Sequence, residues 1–202
     1  MYLLDGMLVM VLGIAGYALA RGLFVMLQFY RSRRIRWIRE GGLLLFVSWM
    51  FWVISVTLFP IPIGIRLEAH PRLNLVPLVS VMNSIKQIGT AYEGDSLFML
   101  HLVLRNVGGN FLLLLPLGFL APMLWERMLA LNSLFLFALV TTIGIETLQL
   151  LETLAVGIGH AVDIDDVIFN ASGAVAGYFI YRIAKKYSKS VKKPVGVGDT
   201  IQ

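Results

Sequence analysis

The chain has 202 residues, of which 58% are hydrophobic and 14% charged, with a mean hydropathy of +0.80, a balance that excludes a water-soluble domain as its main form. It has no cysteine, which rules out disulfide frameworks, thiolate metal sites and cysteine nucleophiles. The formal charge of +5 comes from basic residues at the ends of apolar runs, the pattern of membrane orientation rather than of nucleic-acid binding.

A helix needs about 20 mostly apolar residues to cross a hydrocarbon core of about 30 Å. Five stretches approach that length, at about residues 6 to 29, 41 to 60, 107 to 125, 128 to 151 and 165 to 183. The reading is therefore all-α: a polytopic membrane bundle of about five helices. The first run follows Asp5 with no basic segment before it and is too long for a cleaved signal, so it is expected to remain as an anchor. Arg21 interrupts it and is expected to extend its stem toward the nearer headgroups. Arg31, Arg33, Arg34, Arg36 and Arg39 fill the first link; Arg182, Lys185, Lys186, Lys189, Lys192 and Lys193 follow the last span. Both segments belong in the cytoplasm, which puts the N-terminus outside and the C-terminus inside. Three parts follow: residues 1–40, the first span and its Arg-rich link; residues 41–184, the main bundle; and residues 185–202, a basic cytoplasmic tail. From Ser188 onward that tail is expected to be disordered and to touch anionic lipid.

Pro60 to Asn106 form a long external link. Pro60, Pro62, Pro71 and Pro77 break regular structure in its first half. From about Val79 to Arg105, apolar and charged residues alternate as in interfacial or re-entrant helices.

Polar residues then recur at helical spacing. In the fourth span Thr142, Glu146, Gln149 and Thr153 share one face; in the fifth, Asp163, Asp166, Asn170, Gly173 and Gly177 do. The two stripes meet near the outer surface. A carboxylate at Glu146, inside the span, is expected to face the bundle, be protonated or pair with a donor. His101, Arg105, Asn106 and Asn110, around the start of the third span, supply the nearest donors and a cation. Gly173 and Gly177 form a GxxxG contact motif and are assigned to helix packing, whereas for Asn110, Gln149 and Asn170 tying helices together explains them as well as a functional role. Pro116 and Gly118 suit a kink or a close approach. Asp165 is assigned to the external link or to capping the fifth span.

These residues carry a resemblance. Asn74-Leu75-Val76-Pro77-Leu78, Gly109-Asn110, Pro116-Leu117-Gly118-Phe119, Glu146-Thr147-Leu148-Gln149, and above all Asp163-Ile164-Asp165-Asp166-Val167-Ile168-Phe169-Asn170-Ala171-Ser172-Gly173 with Gly177 resemble the VanZ-like family of bacterial membrane proteins. That family is named for a teicoplanin-resistance protein. The resemblance covers about residues 74 to 181 and implies a cell-envelope protein linked to antibiotic resistance, through reduced susceptibility to lipid-bearing glycopeptides. His160 stands where the family usually has arginine, so a permanent cation is replaced by a titratable group.

Three functions fit. In the first, Asn74, His101, Arg105, Asn106, Asn110, Glu146, Gln149, His160, Asp163, Asp166 and Asn170 bind an amphiphile: a membrane lipid, a lipid-linked envelope precursor or a lipoglycopeptide. In the second, Glu146, Asp163, Asp166 and His160 act on a lipid headgroup as acids, bases or metal ligands, although no recognised metal motif or complete nucleophile-base set is present. In the third, the polar residues only join this chain to another membrane protein. Cofactor use and oligomeric state have no signature in the sequence.

Overall fold

A computed structural model describes residues 2–63, 73–157 and 161–191. The described elements run β1 (Tyr2–Leu4), α1 (Gly6–Tyr30), α2 (Trp37–Leu58), β2 (Ile61–Ile63), β3 (Leu73–Asn74), α3 (Val79–Lys86), α4 (Ser96–Leu124), α5 (Leu131–Val156), β4 (Val162–Asp163) and α6 (Ile164–Val191). Five helices, α1, α2, α4, α5 and α6, are long and apolar enough to cross a membrane. Leucine, phenylalanine and valine side chains point outward along all five, as expected where lipid is the solvent.

The third span differs from its expected start near residue 107. Asp95 accepts a hydrogen bond from the Phe98 backbone N–H at 3.0 Å, and the helix it caps runs unbroken from Ser96 to Leu124. Its 29 residues amount to about 43 Å, longer than a hydrocarbon core of about 30 Å. The polar turns holding His101, Arg105 and Asn106 therefore project past the core, which is why apolarity alone placed the start too late. Of the expected interfacial helices only α3 is separate.

Among the described residues α1 packs chiefly on α2. A Cβ built on Gly13 would stand 2.3 Å from the Phe51 ring, so glycine there lets the two helices touch. Arg21 has a protein partner that the sequence alone does not name: its guanidinium forms a two-pronged ion pair with Glu40 in the first turn of α2, at 2.6 and 2.8 Å, and lies 4.7 Å above the Phe24 ring. The hairpin between α1 and α2 brings opposite charges together, and a bidentate pair satisfies a guanidinium better than sparse headgroup contact.

The centre of the bundle is α4 against α6. A Cβ on Gly173 would fall 1.8 Å from the Phe111 carbonyl oxygen, one on Gly177 2.0 Å from that of Leu115, and one on Gly118 1.8 Å from that of Ala174. These are backbone-to-backbone contacts, the close approach that small residues allow in membranes. Around them Leu114, Leu117, Ala121, Leu134, Ala138, Ala174 and Tyr178 form the core, with Phe46 and Trp49 of α2 packed against it. Trp49 Nε1 donates to the Leu113 carbonyl at 2.9 Å. Pro116 and Pro122 lie within α4, which continues through both.

Two short pairings tie the links at one end. β1 pairs antiparallel with β2, and β3 pairs parallel with β4 in the register Leu73↔Val162 and Asn74↔Asp163. α5 stops at Gly157, whose φ of 82° suits glycine and whose N–H returns to the Thr153 carbonyl at 2.8 Å. α6 continues to Val191, beyond the expected start of the tail at Ser188; the first helix-breaking proline is Pro194. Residues 192–202 lie outside the described residues.

Candidate functional site

The Asn74-to-Leu78 element and the Asp163–Asp166 segment are distant in sequence but form one clip. Asn74 Nδ2 donates to Asp163 Oδ1 at 2.9 Å, across 89 residues, and to Ser80 Oγ at 2.7 Å. The same Asp163 oxygen accepts the Asp165 N–H at 2.9 Å, so Asp163 caps the start of α6. Asp165 turns the other way. Its carboxylate accepts from the Leu78 N–H and, at 3.4 Å, from the Val81 N–H, which caps α3. Sequence reasoning placed Asp165 in a solvated link or on its own helix; it is 1% exposed and caps a helix contributed by another part of the chain. A carboxylate so deeply buried needs donors, and the unpaired first-turn N–H groups of α3 provide them.

The two polar stripes face each other across α5 and α6. Asn170 Nδ2 donates to Thr142 Oγ1 at 3.0 Å. Closer to the clip, Glu146 Oε2 accepts the Asp163 N–H over a long 3.4 Å. Glu146 is 6% exposed and lies within electrostatic reach of Asp166. Gln149 crosses to α2, its Nε2 donating to the Thr57 carbonyl at 3.0 Å. Asn110 Nδ2, from α4, donates to Asp166 Oδ1. Asn170 Oδ1 is buried with no hydrogen-bond partner among the described residues.

A groove of about 680 Å³ opens between α2, α3 and α4 beside this ladder. It gathers five of the residues expected from sequence: Arg105, Asn106, Asn110, Gln149 and Asp166. Glu146 and Asn170 lie behind the groove wall, and Asn74 and Asp163 belong to the clip at its edge. His101 is exposed and outside the lining. His160 lies outside the described residues. Sequence reasoning missed the wall supplied by α2, where Trp52, Val56 and Thr57 face the groove; Ser55 and Thr57, two hydroxyls near the end of an apolar span, are the available signal.

Chemically, the groove sets a cation, Arg105, and a carboxylate, Asp166, among amide donors and acceptors. Trp52, Val56, Met99 and Leu113 provide apolar surface beside them. The Arg21–Glu40 contact is the one ion pair among the described residues, so Arg105 has no carboxylate partner there. Its size lies within the range of small-molecule sites, about 300–1,000 Å³. Among the described residues no group of three or more His, Asp and Glu side chains converges as a metal site.

A protein-family model described as VanZ/LLP1 matches residues 43–185, more than two thirds of the chain. The match begins within α2 and leaves out α1, the one candidate span whose apolar window has no buried residue. No curated protein and no solved structure matches the chain.

Proposed function

Because the chain belongs to the VanZ/LLP1 family, we propose that it is a multi-pass membrane protein that holds an amphiphilic cell-envelope molecule, with the polar headgroup in the groove between α2, α3 and α4 and the tail in lipid. The observation that carries this reading is the composition of the groove: Arg105 and Asp166 flanked by Asn106, Asn110 and Gln149, with apolar side chains of α2 and α4 on the same wall. A headgroup bearing an anionic group and hydroxyl or amide donors meets complementary partners there, and its hydrocarbon meets the lipid-facing helices. The clip commits Asp163 and Asp165 to backbone N–H groups. Asp166, on the lining, is left as the carboxylate that faces the ligand, and Glu146, buried beside it on the Asp163 N–H, sets its electrostatic surroundings.

The groove lies at the end of the bundle opposite Arg36, Arg39, Arg127 and Lys185. The concentration of arginine and lysine at that far end supports a cytoplasmic placement for it, with the groove in the outer leaflet, the N-terminus outside and the C-terminus inside. Lipid-linked envelope precursors and lipid-bearing glycopeptides such as teicoplanin both present a polar head and a tail at that level, which links the site to reduced susceptibility to these antibiotics.

The test compares cells carrying the parent, Glu146→Gln and Asp166→Asn proteins at equal membrane abundance. Each replacement keeps shape and removes a carboxylate. Protection against a lipid-bearing glycopeptide should be present with the parent and lost with both variants. Equal protection by all three proteins, or none with the parent, overturns the proposal.

A further inference from the structure

A cavity larger than the groove lies at the other end of the bundle. It measures about 1,270 Å³ and is bounded by the start of α2, the end of α4, the turn at Glu126–Leu129, and the last turns of α6. Its rim carries Arg36, Arg39, Arg127 and Lys185 against a single acid, Glu126. None of the four cations is ion-paired among the described residues. Below the rim the wall is apolar, with Pro122, Met123, Leu124, Met128, Leu129 and Phe137.

Three aromatic residues mark the level of the rim. Trp37 is 69% exposed and Trp125 36% exposed, and Tyr181 lies 5.4 Å beneath the Lys185 ammonium. Tryptophan and tyrosine with lysine and arginine at span ends are the signature of the headgroup layer. Lys185 is about 32 Å along α6 from Ile164 at 1.5 Å per residue. The cavity is thus a full membrane thickness from the groove beside Asp166.

We propose that this cavity is a binding site for an anionic phospholipid of its own leaflet, with the phosphate held by Arg39, Arg127 and Lys185 and one acyl chain along Met123, Leu129 and Phe137. Charge complementarity selects this occupant. A zwitterionic lipid leaves the excess of three positive charges on the rim unneutralised, whereas a free anion leaves the apolar wall uncovered. The chain beyond residue 191 opens with Lys192 and Lys193, charges of the same sign as the rim. Basic pockets between membrane helices on the positively charged side are a known physical solution to headgroup recognition, and bidentate guanidinium contacts suit a phosphate.

The full-length protein in detergent is titrated with phosphatidylglycerol or phosphatidylcholine of matched chains, and bound lipid is read by native mass spectrometry. Phosphatidylglycerol should bind at least about tenfold more tightly, and the preference should shrink as salt rises. The Arg39→Gln, Arg127→Gln, Lys185→Gln triple variant should lose the preference, and Asp166→Asn should keep it. A photoreactive acyl chain on phosphatidylglycerol should label the peptide spanning residues 122–137 of the unmodified chain, a readout that needs no variant. Equal affinity for the two lipids overturns the proposal. So does labelling confined to other peptides, or displacement of phosphatidylglycerol by glycerol 3-phosphate, which would make the cavity an anion site.

Discussion

Replacing Asp165 by alanine separates a structural carboxylate from a ligand-binding one. Asp165 is almost fully buried and accepts from the Leu78 and Val81 N–H groups at the start of α3. Alanine leaves both donors without their acceptor. Both bonds go to the carboxylate, the one from Val81 over a long 3.4 Å. A charge-assisted bond contributes about 1.5–3 kcal/mol, and loss of an N-cap costs about 1 kcal/mol measured on the same bonds, so the two do not add. The expected cost is about 2–3 kcal/mol, confined to α3 and the β3–β4 pairing. In amide hydrogen exchange that is a roughly 30- to 150-fold loss of protection at Leu78 to Val81. Asp165→Asn keeps one acceptor oxygen and should lose less. The core amides of α4 and α6 should exchange as before. Unchanged protection at Leu78 and Val81 in a folded Asp165→Ala protein would refute the clip, as would uniform loosening of the whole bundle.

Gly173→Ala places a methyl group against the Phe111 carbonyl, an atom that cannot rotate away, and should cost about 1–3 kcal/mol or more in thermal unfolding in detergent; Gly16→Ala, which meets nothing within 4 Å, should be neutral or slightly stabilising. Arg21→Ala and Glu40→Ala should each destabilise the α1–α2 hairpin, and a double-mutant cycle should give a coupling of about 1–3 kcal/mol; strictly additive effects would show that the pair contributes nothing. Reporter fusions should find the N-terminus outside and the C-terminus inside, and termini on one face would exclude five crossings.

Much of this arrangement could be read from spacing because an α-helix has a fixed period. Helical counting alone puts Thr142, Glu146 and Gln149 on one face, and all three are buried on it. The same holds for Gly173 and Gly177, whose contact with α4 follows from small residues one turn apart. What spacing does not carry is the identity of partners from distant parts of the chain. Asp165 looked like an N-terminal acid on its own helix because its true partners, Leu78 and Val81, lie more than 80 residues away. The two-residue pairing of β3 with β4 has no periodicity to detect. Arg21 gave no hint of Glu40, since their meeting depends on the register of two helices joined by the Arg-rich link. Ser96 to Asn106 read as a surface segment because its polar residues lower the local hydropathy, although the backbone there is already the third span. Finally, α2 reads as a plain apolar helix; only the packing turns Trp52, Val56 and Thr57 into a wall of the groove.

The central claim is that the groove beside Asp166 holds an amphiphile, and its most direct test is the molecule that stays with the protein. The full-length parent, Glu146→Gln and Asp166→Asn proteins are purified gently from the same membranes, and retained molecules are identified by mass spectrometry. The account predicts a discrete amphiphile with a polar, anionic headgroup on the parent, reduced at least about tenfold on both variants, while lipid retained at the Arg39 and Lys185 end is unchanged. The same complement of molecules on all three proteins, at equal occupancy, would contradict it.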